Sequence, residues 1–223
     1  MSARALTLAV ADGVEVSALL TLPERARACY VLAHGAGTGM RHRSLEAIAV
    51  ELAPLGIATL RFQFPYMERG ARRPDPPQLC HASVRAAVAE AARLAPGLPL
   101  FAGGRSFGGR MTSQAQAEAP LAGVRGLILL GFPLHPAGSP ADGRAAHLAE
   151  VRIPMLFLQG TRDALADARL LTAVTARLGA RATLGWLEGA DHSWHVPARS
   201  GRTDAEVRTA ALHTLATWID SLI

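Results

Sequence analysis

Short runs rich in leucine and β-branched residues alternate with longer, alanine-rich amphipathic segments along most of this chain. Few folds satisfy that alternation. Apolar runs of strand length are stable when covered on both faces, and the intervening segments are long enough to cross back over them as helices. The pattern predicts βα units around a mostly parallel sheet. Strand-like runs fall at roughly 5–10, 16–22, 28–33, 57–62, 98–102, 125–130, 154–159 and 182–187. Helix-like segments fall at roughly 43–53, 79–95, 107–118, 164–178 and 204–222. Ala11-Asp12-Gly13 suits an antiparallel hairpin between the first two runs, whereas later runs are separated by helix-length segments. The expectation is an α/β fold of about eight strands, mostly parallel, with helices on both faces. At 223 residues, one domain over 1–223 is expected.

Composition removes several functional classes. Half the residues are hydrophobic and 18% are charged, with no internal repeat or low-complexity tract, as in a globular fold. All 23 basic residues are arginine, against 18 acids, giving a formal charge of +5. The arginines are dispersed, only Arg72-Arg73 adjoin, and no basic stripe is interleaved with aromatics, so no nucleic-acid partner is expected. Cys29 and Cys80 form neither a CxxC pair nor a metal knuckle. The opening MSARALTLAVADG is too briefly apolar for a secretory core, and no run approaches the ~18 apolar residues of a membrane helix. A soluble, cytoplasmic protein with no membrane partner is the expectation.

In a parallel α/β sheet, ligands gather beyond the carboxyl ends of the strands. The segments following the strand-like runs are HGAGTG, FPYMERG, GGRSFGG, FPLHP, GTRD and ADHSWH. Reactive groups far apart in sequence therefore converge on one edge. Among these segments, GGRSFGG has the spacing GxxxxG but lacks the lysine and hydroxyl of a phosphate loop. Gly35-Ala36-Gly37-Thr38-Gly39 has the spacing GxGxG in place of GxGxxG, with no acid clearly placed for a ribose, so neither motif predicts a nucleotide site. Gly104-Arg105-Ser106-Phe107-Gly108 does fit GxSxG between a strand and a helix. A strand that turns at once into a helix lifts its serine hydroxyl above the sheet edge, and only small flanking residues let the chain pass so closely.

A serine hydroxyl at its ordinary pKa is a weak nucleophile and needs a base, which in turn needs an orienting acid. The order Ser, Asp, His is met by Ser106, Asp163 in QGTRD and His192 in GADHSW. Asp167 is the fallback acid, about one turn inside the expected helix, and His195 is the rival base. Phe107 N–H and Ala36 N–H are the candidate oxyanion donors, with Gly37 as the alternative to Ala36. His192 and His195 are three apart but lack HExxH and a third ligand, so no metal or other cofactor is expected.

HGAG, GRSFGG, GTRD and DHSW, in that order and each after a strand-like run, resemble the α/β-hydrolase superfamily over nearly the whole chain. GRSFGGRM with FPY, FPLHP and GTRD is similar to a small uncapped group of dienelactone-hydrolase-like and testis-expressed-protein-30-like proteins. The resemblance implies an α/β-hydrolase fold with Ser106, Asp163 and His192 as nucleophile, acid and base. It names no substrate, and serine stands where typical dienelactone hydrolases have cysteine. A serine hydrolase acting on a small-molecule ester, thioester or amide is expected; the alternative is a catalytically silent scaffold for protein or ligand binding. FPLHPAGSPADGRAAHLAEVRI is too short for a substantial helical cap, so an open site is expected. Gly35, Gly37, Tyr66, Arg105 and His135 are the expected substrate neighbours, with Arg41 and Arg43 beside them.

Overall fold

A computed structural model describes residues 3–11 and 13–223. Among them, eight strands form one sheet: Arg4–Ala11 (β1), Val14–Thr21 (β2), Ala28–Ala33 (β3), Ile57–Phe62 (β4), Leu100–Arg105 (β5), Val124–Leu130 (β6), Met155–Gly160 (β7) and Ala182–Leu187 (β8). Their spatial order is β1-β2-β4-β3-β5-β6-β7-β8. β2 pairs antiparallel with both β1 and β4, and all pairings from β4 onward are parallel. Asp12, at the centre of the expected Ala11-Asp12-Gly13 turn, lies outside the described residues.

The helices are Arg43–Leu52 (α1), Pro65–Glu68 (α2), Pro77–Leu94 (α3), Phe107–Glu118 (α4), Ala168–Leu178 (α5) and Asp204–Asp220 (α6). α3, α4 and α5 cover one face through residues such as Val84, Met111 and Leu171. Ile48 of α1 and Leu215 of α6 cover the other. The period of two along a strand decides which side chain goes where: in β3, Cys29, Val31 and Ala33 enter the first layer, and Ala28, Tyr30 and Leu32 the second. That double coverage is why β3, β4, β5 and β7 are buried at every residue and are mostly apolar.

Two boundaries differ from the sequence reading in ways that shape the site. β5 does not end at 102 but runs through Gly103 and Gly104 to Arg105, with Gly103 opposite Leu32 and Gly104 opposite Ala33. Glycine's low strand propensity hides this extension, yet only glycine fits, because a Cβ at Gly104 would collide with the Ala33 carbonyl. The helix expected at 164–178 starts at Ala168. Asp167 caps it, accepting from the Arg169 and Leu170 amides at 3.0 Å, so Asp167 lies at the helix boundary and not a turn inside. Among the described residues, the one helical element between β6 and β7 is a 3-10 stretch, Gly143–Glu150, and no cap domain stands over the sheet edge. Among the described residues, no helix is long and apolar enough to cross a membrane.

At the start of α4, a Cβ on Gly108 would lie 2.6 Å from the His34 carbonyl oxygen. Gly108→Ala must therefore push backbone against backbone, and overpacking of that kind costs about 1–3 kcal/mol. The expected outcome is a melting temperature lowered by about 2–10 °C, read by calorimetry.

One buried and one half-buried histidine are held in the neutral form. Burial pulls His34 down to about 4. It does the same to His147, with Arg110 adding to the effect. In the unfolded chain a histidine takes up its proton near pH 6.5, so between about 6.5 and 4 the unfolded state binds more protons and stability falls as the pH drops. For His34 the full loss is about 3 kcal/mol. Urea unfolding between pH 7.5 and 4.5 should show this decline, and His147→Gln should make it shallower.

Candidate active site

The backbone at Ser106 carries the geometry that GxSxG predicts. β5 delivers the chain to the sheet edge, and Ser106 adopts φ 49 and ψ −114, outside the regions ordinary L-residues prefer, before α4 begins at Phe107. The strain is held by flanking contacts: Ser106 N–H donates to the Leu130 carbonyl at 2.9 Å, and Arg110 N–H donates to the Ser106 carbonyl at 3.1 Å. The serine thus stands at the N-terminus of α4, whose first N–H groups have no partner within the helix.

Asp163 follows β7 and His192 follows β8, so the parallel sheet brings them to the same edge. His192 Nε2 lies 2.9 Å from Ser106 Oγ, and His192 Nδ1 lies 2.7 Å from Asp163 Oδ2. A carboxylate only accepts, so Nδ1 carries the proton and Nε2 is left to accept from the serine hydroxyl. The Asp163 side chain is 0% exposed. Its charge is sustained by three donors: His192 Nδ1, Leu165 N–H at 2.8 Å and Gln159 Nε2. Gln159 is itself held by Phe132 N–H, which donates to its Oε1 at 2.8 Å.

The loop after β3 runs beside the serine. A Cβ on Gly35 would come within 4.0 Å of Ser106 Cβ, whereas nothing lies within 4 Å of one on Gly37. His34 Nδ1–H donates to the Gly35 carbonyl at 2.7 Å while its Nε2 accepts from Phe64 N–H at 3.0 Å. In a trans peptide the N–H points opposite to the C=O, so this contact turns the Ala36 N–H away from His34. Among the described residues the Ala36 N–H has no backbone acceptor. Tyr66 OH donates to the Ala36 carbonyl at 2.8 Å, and its ring meets that of Phe107 edge-on. Burial pushes the Tyr66 phenol up, which keeps it a donor.

A cavity of about 930 Å³ opens from Ser106 and His192 along the N-terminal turns of α1 and α6. Gly35, Ala36, Gly37 and Arg105 line it, together with Arg43, Ile48 and Trp194. Tyr66 and His135 do not line it. Tyr66 turns inward to the Ala36 carbonyl, and His135 bridges the Pro136 carbonyl and the Asp167 amide, both at 2.8 Å. The rival base His195 also lines the cavity, but it pairs with Asp204 at 3.0 Å, which raises its pKa. A second serine–histidine pair, Ser113 and His147 at 2.8 Å, lies away from this cavity.

Gln159, His34 and Trp194 support the site without having been singled out as site residues. A signal existed for two of them. Gln159 is the one polar side chain in the otherwise apolar run of β7, and His34 interrupts an apolar strand end. Such residues persist in a core only when hydrogen-bonded.

The comparisons with known proteins agree with this fold. Residues 26–220 match the family model described as an alpha/beta hydrolase domain. The fold is similar to an α/β serine hydrolase without lid from Xanthomonas campestris, with 23% identity, TM-score 0.76 and coverage of 98% of this chain and 95% of that one. It is similar to a dienelactone hydrolase from Anabaena variabilis at 20% identity, TM-score 0.80, and coverage of 100% and 98%. Est1E from Butyrivibrio proteoclasticus shares 18% identity at TM-score 0.74, over 97% of this chain and 99% of that one. With a lidless sheet edge, a strained serine at a strand-to-helix turn and a matching family model over most of its length, this chain belongs to the α/β-hydrolase family.

Proposed function

We propose that this protein is a serine hydrolase that cleaves a small carboxylic ester through an acyl-enzyme, acting as a single domain without a cofactor. The observation that carries the proposal is the continuous hydrogen-bonded line from Asp163 Oδ2 through His192 to Ser106 Oγ. Ser106 Oγ attacks the ester carbonyl carbon while its proton passes to His192 Nε2, and the carbonyl electron pair moves onto oxygen. The Ala36 and Phe107 N–H groups receive that oxyanion, each worth about 3 kcal/mol of barrier when preorganised. Collapse restores the carbonyl and expels the alcohol, which takes the proton from Nε2. Water then repeats the attack with its proton passing to Nε2, and the acid leaves as the proton returns to Ser106. Asp163 remains ionised throughout and stabilises the transient imidazolium.

The open cavity suits a small substrate, and its charge suggests which kind. Of the arginines lining it, Arg208 pairs with Glu51, and Arg105 is buried against Trp194. Arg43 has no ion pair among the described residues, which makes it the candidate for an anionic group on the substrate.

A fluorophosphonate probe should add once to the wild-type protein and not to Ser106→Ala. His192→Ala should lower turnover of a p-nitrophenyl ester by about a thousandfold or more, with His195→Ala far milder. Unlabelled wild-type protein would favour a non-catalytic binding role. Arg43→Ala should raise KM for a p-nitrophenyl hemisuccinate and leave that for the neutral butyrate unchanged, a contrast that a chain-length series of esters would frame.

A further inference from the structure

Arg105 is the last residue of β5 and the residue before Ser106, so its backbone belongs to the turn that presents the serine. Its side chain reaches across to the loop that carries His192. The guanidinium lies 4.7 Å from the centroid of the Trp194 ring, and Nη2 donates to the main-chain carbonyl of His192. Arg105 is 9% exposed and Trp194 is 4% exposed. One residue thus ties the elbow holding the serine to the backbone of the histidine 87 positions later.

The other half of the contact is built as carefully. Asp191 winds the loop around itself: its carboxylate accepts from Ser193 N–H at 2.7 Å and His195 N–H at 2.9 Å, and its carbonyl accepts from Trp194 N–H at 3.0 Å. Trp194 is held at φ 67, a left-handed conformation that costs a non-glycine residue about 1–2 kcal/mol. Among the described residues, Arg105 has no carboxylate within ion-pair distance, and Asp163 and Asp191 act on it from farther away. A buried cation is expensive to keep unless it is well partnered. Here the partners are an aromatic face and the backbone of the candidate base, an arrangement that fixes a loop more directly than it binds a substrate.

We propose that Arg105 is a positioning residue: clamped between the Trp194 ring and the His192 carbonyl, it fixes the height and tilt of the imidazole between Ser106 and Asp163. The assignment rests on His192 being the base and goes beyond it, since GxSxG leaves the residue before the serine free.

Proton NMR of the whole protein tests this through the His192 Nδ1–H, which should resonate far downfield, assigned by its loss in His192→Gln. In Arg105→Met that signal should broaden or vanish. Arg105→Lys, which keeps the charge but not the planar stack, should weaken the signal less; it carries the test if Arg105→Met does not fold. For a p-nitrophenyl ester, kcat of Arg105→Met should fall by about a hundredfold with KM little changed, and added guanidinium ion should partly restore it. An unchanged Nδ1–H signal overturns the proposal, as does a loss confined to KM, which would make Arg105 a substrate-binding residue. If wild-type protein neither hydrolyses esters nor takes the probe, the proposed activity fails while the NMR comparison still decides what Arg105 does.

Discussion

The close approach of the serine turn to the end of β3 is the constraint on which the rest of the structure depends. Gly104 faces Ala33 across the ladder, and Gly108 lies against the His34 carbonyl. No side chain fits at either position. Because both glycines press against β3, the loop that continues from β3 through Gly35 and Ala36 is brought beside Ser106 without any contact of its own having to pull it there. The strained φ of Ser106 is the local consequence, and it survives because two layers of helices over-determine the path of the chain on either side.

Around that turn, the supporting structure is mostly backbone carbonyls held by buried polar side chains. His34 takes the Gly35 carbonyl, Tyr66 the Ala36 carbonyl, and Arg105 the His192 carbonyl. Each contact orients a peptide or a loop, and the His34 and Tyr66 side chains that make two of them stay out of the cavity wall. This division explains why Tyr66 is absent from the cavity wall although its loop borders the site: its hydroxyl is more useful fixing the direction of a peptide than meeting a substrate. Asp163 follows the same logic with charge, since a fully buried carboxylate stays ionised only with donors around it, and Gln159 and Leu165 join His192 in supplying them.

Much of this was legible before any coordinates. The period of the apolar runs marked the eight strands, and the chemistry of GxSxG together with the order Ser, Asp, His singled out three residues that the sheet edge does bring together. The errors came from residues whose local preference and tertiary role disagree. Gly103 and Gly104 read as loop because glycine weakens strands, yet neighbouring strands enforce the ladder there. The segment 164–167 read as helix because its composition is helical, but Asp163 takes the Leu165 amide and Asp167 caps the next turn, so the helix starts at Ala168. His135 read as a substrate neighbour because it follows a strand, but its two ring nitrogens are consumed by Pro136 and Asp167.

By itself the sequence determined the α/β layering and the identity of the reactive groups, because hydrophobic period and side-chain chemistry are properties of short stretches of chain. Only the tertiary structure decided which polar residues face the cavity and which brace it from behind. Tyr66 in α2, His135 in a loop and Arg105 at a strand end are all polar residues close to the sheet edge, and their direction depends on backbone carbonyls and amides contributed by segments 30 to 87 residues away. Such a partner is invisible from any local window, and burial leaves each donor no choice but to find it.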